Sequence, residues 1–314
     1  MQSISLGRSK LVGSRLAYGC WRIAGSWDAK QVTRESRANG RAAAIAAYEA
    51  GYTLFDHADI YGDGIPETIF GEVLKEVSGM RERILIASKC GIRKPGDPRP
   101  DSPYRYDFSG AYIMNSCEQS LKRLGVETID LYQLHRPDYL MDPHEVAGAF
   151  CVLKDAGKVR EFGVSNFKPS QLEALQKACP LPLIVNQVEI SLANLHCFED
   201  GTLDQCLTER ITPMAWSPLA AGLLADGAKN LLPAQQNYRP QKIVEALGEV
   251  GKSHGVSRPV VALAWLLKHP AKIVPIIGST NPASIREAAK ALELELTREE
   301  WYHLLVVARG EPLP

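Results

Sequence analysis

The stretch Leu54-Phe55-Asp56-His57-Ala58-Asp59-Ile60-Tyr61-Gly62 passes from an apolar segment into acids, a histidine and a tyrosine, and ends on a glycine. Tyr52 to Phe55 is aromatic, β-branched and apolar and follows Gly51, a pattern that predicts a buried strand. Asp56 then falls near the carboxyl end of that strand, with Tyr61 on the loop beyond it. An acid at a strand end with a phenol above it suggests proton chemistry. A plainer reading also fits the stretch: Asp56 as a helix cap and Tyr61 as a packed aromatic, with site geometry to decide between the two. A phenol with a pKa of about 10 is a poor acid at neutral pH unless its phenolate is stabilised. A neighbouring ammonium does this and lowers the pKa. A carboxylate would hold that ammonium in place and keep it charged, and a histidine would hydrogen-bond the reacting oxygen. Lys89, Asp56 and His135 can supply these roles to Tyr61. The set suits a metal poorly, because it clusters a histidine and an acid or two beside a cation-repelling lysine. No metal is expected.

These side chains need a scaffold that brings distant strand ends together. Short apolar runs alternate with helical stretches along the whole chain. The predicted strands are Leu16–Cys20, Tyr52–Asp56, Ile84–Lys89, Ile129–His135, Val159–Val164, Leu183–Val188, Thr212–Trp216 and Ile273–Ile277. Helices are expected around residues 41–50, 67–77, 112–124, 144–156, 168–177, 202–210, 240–253 and 259–267. Another should follow Gly278-Ser279-Thr280, and a Thr-x-x-Glu capping box introduces a last one from Thr297 to Ala308. Pro213 confines pairing in its strand. Strands alternating with helices imply a parallel sheet, and eight such units in about 300 residues fit a closed (β/α)8 TIM barrel. An open doubly wound sheet would place Gly-x-Gly-x-x-Gly after the first strand, and no such run follows Cys20. The expected organisation is one domain over residues 1–314. Active sites of such barrels form at the carboxyl ends of the strands. Asp56, Lys89, His135, Asn166, Gln187, Trp216 and Ser279 all fall there.

Composition narrows the class. Lys plus Arg number 36 and Asp plus Glu 36, so no global basic excess points to nucleic acid or anionic lipid. The first residues lack the apolar core of a signal peptide, and no apolar run approaches the ~20 residues of a membrane helix. Seven cysteines without metal-ligand spacing read as free thiols in a reducing, cytoplasmic setting.

The chain resembles the aldo-keto reductases over almost its full length. The match is carried by Asp56-His57-Ala58-Asp59-Ile60-Tyr61-Gly62, Ser88-Lys89, Leu134-His135, Gly163-Val164-Ser165-Asn166-Phe167, Asn186-Gln187, Trp216-Ser217-Pro218-Leu219 and Ile276-Ile277-Gly278-Ser279-Thr280. The resemblance implies NADPH-dependent reduction of small aldehydes or ketones on a (β/α)8 barrel. It also implies an N-terminal β-hairpin near Ile4 and Leu11 closing the barrel bottom, and extra C-terminal helices. Asp56, Tyr61, Lys89 and His135 match the family's catalytic tetrad. Ser165, Asn166 and Gln187 match groups around the nicotinamide carboxamide, and Trp216 the aromatic stacked on its ring. Gly19, Trp21 and Arg22 match the segment lining the cofactor and substrate cleft. Ser217, Leu219, Gly222 and Leu223 match the loop over the pyrophosphate. Gly278, Ser279 and Thr280 match the 2′-phosphate site at a helix start.

The sequence departs from the family pattern in this last region. Gly278, Ser284 and Ala288 stand where lysine, arginine and asparagine are frequent. Arg286 is the nearest cation and is expected to substitute, and Glu287 is kept at the adenine position. His57 is also uncommon, and is expected to pack behind the site. The alternative reading is a cofactor-binding regulatory protein like the channel β-subunits of the same fold. The substrate pocket is expected from the loops 91–108 and 217–238 and the tail 309–314, with Trp21, Trp27, Tyr61, Tyr104 and Tyr106 on its rim.

Overall fold

A computed structural model describes residues 1–227 and 231–314, so part of the expected loop 217–238 lies outside the described residues. The chain opens with an antiparallel hairpin of β1 (Ser3–Ser5) and β2 (Val12–Ser14). Next come β3 (Ala17–Gly19), α1 (Arg34–Glu49), β4 (Leu54–Asp56), α2 (Ile65–Glu76) and β5 (Leu85–Cys90). A small antiparallel ribbon, β6 (Ile92–Arg93) with β7 (Arg105–Tyr106), interrupts the long loop that follows. The alternation then resumes with α3 (Gly110–Leu124), β8 (Ile129–Leu134), α4 (Pro143–Asp155), β9 (Val159–Ser165), α5 (Pro169–Ala178) and β10 (Leu183–Glu189). The last part holds α6 (Thr202–Glu209), β11 (Thr212–Trp216), α7 (Gln241–His254), α8 (Arg258–Leu267), β12 (Val274–Ile277), α9 (Pro282–Ala288) and α10 (Arg298–Arg309). Eight strands close into a parallel barrel in the order β3-β4-β5-β8-β9-β10-β11-β12.

The period-two alternation of strands decides what fills the barrel. Ala17, Leu54, Leu85, Ala87, Leu131, Val185, Met214 and Val274 form an apolar lower layer with Ile4, Leu6 and Leu11 of the hairpin. The hairpin therefore plugs the bottom, as the resemblance implied. Its fit is close: a Cβ at Gly7, where φ is +52°, would stand 2.5 Å from the Ile184 carbonyl oxygen. The neighbouring outward residues, such as Tyr18, Phe55, Ile86 and Tyr132, pack instead against the helices. Two steps further up, the inward positions become polar: Asp56, Lys89, Gln133 and Gln187.

Helix α1 starts earlier than its periodicity predicts. Thr33 and Ser36 cap it reciprocally, and Gly40 lets it lie against Ile23, whose carbonyl oxygen a Cβ would approach to 1.8 Å. The expected capping box of α10 is present between Thr297 and Glu300. Pro213 sits inside the closed barrel opposite Asn186, and pairing of β11 with β12 is restricted to Met214 and Ala215. Among the described residues no helix is long and apolar enough to cross a membrane.

Candidate active site

Past Asp56 the chain stays hydrogen-bonded along β5: the His57 amide donates to the Ala87 carbonyl at 2.8 Å, and the Asp59 amide to the Lys89 carbonyl at 3.0 Å. This brings the Tyr61 turn over Lys89. Gly62, Asp63 and Gly64 then take φ of +45°, +56° and +84°. At Gly64 a Cβ would stand 2.4 Å from Arg123 Nε, so both the conformation and the space call for glycine. Arg123 in turn donates to Glu67 Oε2 at 2.7 Å, and the Ser88 hydroxyl donates to Glu67 Oε1 at 2.6 Å. The buried Glu67 carboxylate thus ties the Tyr61 turn and α3 to the residue beside Lys89.

Lys89 is fully buried, and its Nζ donates to both Asp56 oxygens at 2.7 Å and to the His57 carbonyl at 2.6 Å. Gln187 Nε2 donates to Asp56 Oδ1 at 2.8 Å. Burial alone would lower the Lys89 pKa, yet Asp56 and Tyr61 outweigh it and the net shift is upward. The group is a cation throughout the ordinary pH range. Its Nζ lies 5.2 Å from the Tyr61 ring centroid, and the His135 ring meets Tyr61 edge-on at 5.7 Å. Burial, with the nearby cations Lys89 and Arg136, holds the His135 pKa well below normal, so the imidazole is neutral and can donate a hydrogen bond to an oxygen without carrying charge.

The expectation that Lys89 leaves Tyr61 with a lowered pKa needs correction. Lys89 does act downward, but burial outweighs it and the net Tyr61 shift is upward. His57 is fully buried against Phe70, ring centroids 4.6 Å apart, with neither ring nitrogen hydrogen-bonded among the described residues. Burial and then Lys89 push its pKa down to about 3.

A cavity of about 670 Å³ opens above this cluster and reaches across the barrel mouth to the start of α9. Asn166, at φ +62°, organises one wall. Its Nδ2 donates to the His135 carbonyl at 3.0 Å and its Oδ1 accepts from Trp216 Nε1 at 2.9 Å. The backbone then passes through positive φ at Ser217, Ala220, Ala221 and Gly222, a run that turns the chain along the cleft. Gly278 is needed at the opposite wall, because a Cβ there would stand 2.8 Å from Trp21 Nε1.

Nearly all the sequence-selected residues converge on this cavity. Asp56, Tyr61 and His135 line it, as do Gly19, Trp21, Arg22, Ser165, Asn166, Gln187 and Trp216. Ser217, Leu219, Gly222, Gly278, Ser279, Thr280 and Glu287 do so as well. Lys89 lies beneath the wall rather than in it. Leu223 and Arg286 are not brought to the cavity. Leu223 packs against the hydrophobic core, and Arg286 is exposed on α9. Asn281, Ser284 and Ala288 line the cavity instead. Helical spacing explains this, since residues three and four apart share a face and a residue two positions from Ser284 points away. Arg136, next to His135, is a cavity residue that the sequence reading passed over. The one available signal was its position directly after a polar strand end. Among the described residues no cluster of three or more His, Cys, Asp or Glu side chains is placed to hold a metal ion.

A barrel with polar groups gathered at the carboxyl ends of its strands is consistent with many chemistries. The family model of the aldo/keto reductases matches residues 15–305, and the chain belongs to that family of oxidoreductases. It is 42% identical over 317 residues to the 6-dehydroglucose reductase of Novosphingobium aromaticivorans, covering 98% of this chain and 96% of that one. It is 40% identical over 312 residues to the 6-dehydroglucose reductase of Agrobacterium fabrum, covering 99% of both. A crystal structure of a thermostable aldo-keto reductase in complex with the inhibitor epalrestat superposes with a TM-score of 0.82 at 27% identity, covering 98% of this chain and 100% of that one.

Proposed function

We propose that this chain reduces the carbonyl of a small aldehyde or ketone to an alcohol with NADPH, and that Tyr61 delivers the proton. The observation that carries this reading is the line from buried Asp56 and Lys89 to the half-buried Tyr61, with neutral His135 beside it, all at one end of a cleft of about 670 Å³. A cleft of that size accommodates an extended cofactor with a small substrate.

The residues present fit a nicotinamide dinucleotide. Ser165, Asn166 and Gln187 would surround the carboxamide, and Trp216 would meet the ring. Ser217, Leu219 and Gly222 would run along the pyrophosphate, and Gly278, Ser279 and Thr280 would take the adenosine phosphate. When bound, the cofactor supplies the hydride. Tyr61 gives its phenolic proton to the carbonyl oxygen as negative charge develops there. Lys89 stabilises the resulting phenolate, Asp56 and Gln187 hold Lys89 in place, and His135 orients the carbonyl oxygen. With Arg286 turned away, preference for NADPH over NADH rests on Ser279 and Thr280 and should be modest.

Equilibrium binding of NADPH and NADH, followed by turnover of aldehydes headed by a dehydro-sugar such as the relatives' names specify, tests the reading. NADPH should bind somewhat more tightly, and Arg286→Ala should leave both affinities unchanged. Absence of turnover with every aldehyde despite cofactor binding would sink the carbonyl-reductase reading.

A further inference from the structure

Arg136 follows His135 directly and lines the same cavity. Its guanidinium carbon stands 5.4 Å from the Trp216 ring centroid. Its charge reaches both Tyr61 and His135, the two groups that face the reacting oxygen. A half-buried guanidinium ordinarily finds a carboxylate, yet Arg136 makes no ion pair or hydrogen bond among the described residues. Glu189 is the acid whose charge it meets, yet the two form no ion pair among the described residues, and the Glu189 carboxylate accepts from Gln235 Nε2 at 2.7 Å. Of the other cations of the cavity, Lys94 is paired with Asp63, and Arg22, like Arg136, lies over an indole ring, 4.3 Å from the Trp21 centroid. The remaining rim is largely apolar, with Trp27, Ile60, Ile92 and Tyr104.

We propose that Arg136 is a specificity-determining residue that anchors a pair of oxygen atoms on the substrate, close in its chain to the carbonyl. A guanidinium presents two parallel N–H donors in a rigid fork, which matches a carboxylate, a phosphate or a vicinal diol. The substrate class is therefore an oxygenated aldehyde or ketone rather than a plain alkyl one. The anchoring group is chemically unchanged by the reaction, since hydride and proton both go to the carbonyl. This inference rests on the carbonyl-reductase reading, and the test separates the two.

The test compares kcat/KM for 4-oxobutanoate, glyceraldehyde 3-phosphate, glyceraldehyde and butanal, in the wild type, Arg136→Met and Arg136→Lys. NADPH affinity is measured separately for each by fluorescence titration. At least one oxygenated aldehyde should exceed butanal by about tenfold or more, the scale of hydrogen bonds to a charged group. Arg136→Met should remove most of that ratio, mainly through KM, lowering kcat/KM far more for the oxygenated aldehydes than for butanal and leaving NADPH affinity near wild type. Retention of the ratio in Arg136→Lys would assign an anionic anchor, and its loss the forked recognition of a diol. Equal losses on butanal and the oxygenated aldehydes, weakened NADPH binding, or an unchanged ratio in Arg136→Met would overturn the proposal. Failure of the wild type on every aldehyde would instead overturn the carbonyl-reductase reading.

Discussion

The lower and upper layers of the barrel interior are built by the same strands and differ in almost everything else. Leu54 and Asp56 are two residues apart on β4, as Leu85, Ala87 and Lys89 are on β5. One step of the alternation carries the chain from a dry apolar plug to a buried ion pair. Below, Leu131, Val185 and Met214 close on the hairpin residues Ile4, Leu6 and Leu11, and nothing there can titrate. Above, Asp56 takes two partners from other strands, Lys89 from the adjacent β5 and Gln187 from across the barrel. Removing one partner of such a buried pair leaves an uncompensated charge, whereas removing a methyl group below leaves only a cavity. Both layers are thus expected to bear on stability, and the upper layer on chemistry as well.

The largest separation of the layers should come from Tyr61→Phe. On the proposed mechanism turnover should fall on the order of 10²-fold or more, because a general acid acts on the transition state. Thermal midpoint and NADPH affinity should stay near wild type, and near-normal turnover would remove Tyr61 from the mechanism. Leu131→Ala should do the reverse. Truncating this fully buried leucine should cost about 2–5 kcal/mol of stability by denaturant unfolding, with kcat per folded molecule unchanged. A matching drop in kcat would mean that the lower layer also positions the site.

His57→Leu gives the smallest effect and sharpens the boundary. His57 is neutral when folded, with a pKa of about 3, whereas the unfolded histidine takes a proton below about 6.5. Its contribution to stability is therefore intact above about pH 6.5 and is lost as the pH falls toward 3. Asp59 runs the other way, because burial raises its pKa to about 7. The comparison should accordingly be made between variant and wild type. Leucine fills a similar volume and cannot titrate, so the variant's relative stability should rise between pH 7 and pH 5, with turnover within about threefold. An unchanged difference across that range would place a charged or solvated imidazole at position 57.

Much of the fold and the site was legible in the sequence. The alternation of apolar runs and helical stretches, with polar residues at the ends of the runs, predicted the barrel and its polar mouth. The hairpin plug came from the family resemblance, because strands as short as Ser3–Ser5 carry no period of their own. Arg286 was misplaced by reading distance along the chain in place of helical phase. Arg136 was passed over because its meaning depends on Trp216 and on an acid that another element claims. The net upward shift of Tyr61 could not be read either, since burial is a property of the folded rim and not of spacing. The brace from Glu67 to Ser88 and Arg123 joins three separated segments, and no local pattern announces it.

The central claim is that the upper layer works as a tuned pair, with Lys89 favouring the Tyr61 phenolate against the opposing effect of burial. The direct test is the pH dependence of carbonyl reduction and alcohol oxidation in the wild type and in Lys89→Met. Reduction needs the phenol and should decline only as the pH passes the raised Tyr61 pKa, while oxidation needs the phenolate and should rise there. Removing the ammonium takes away a downward influence, so the inflection should move to higher pH. Both rates should fall, and oxidation at pH 10 should fall more than reduction. An inflection that stays at its wild-type pH in Lys89→Met, with both directions depressed equally, would contradict the account.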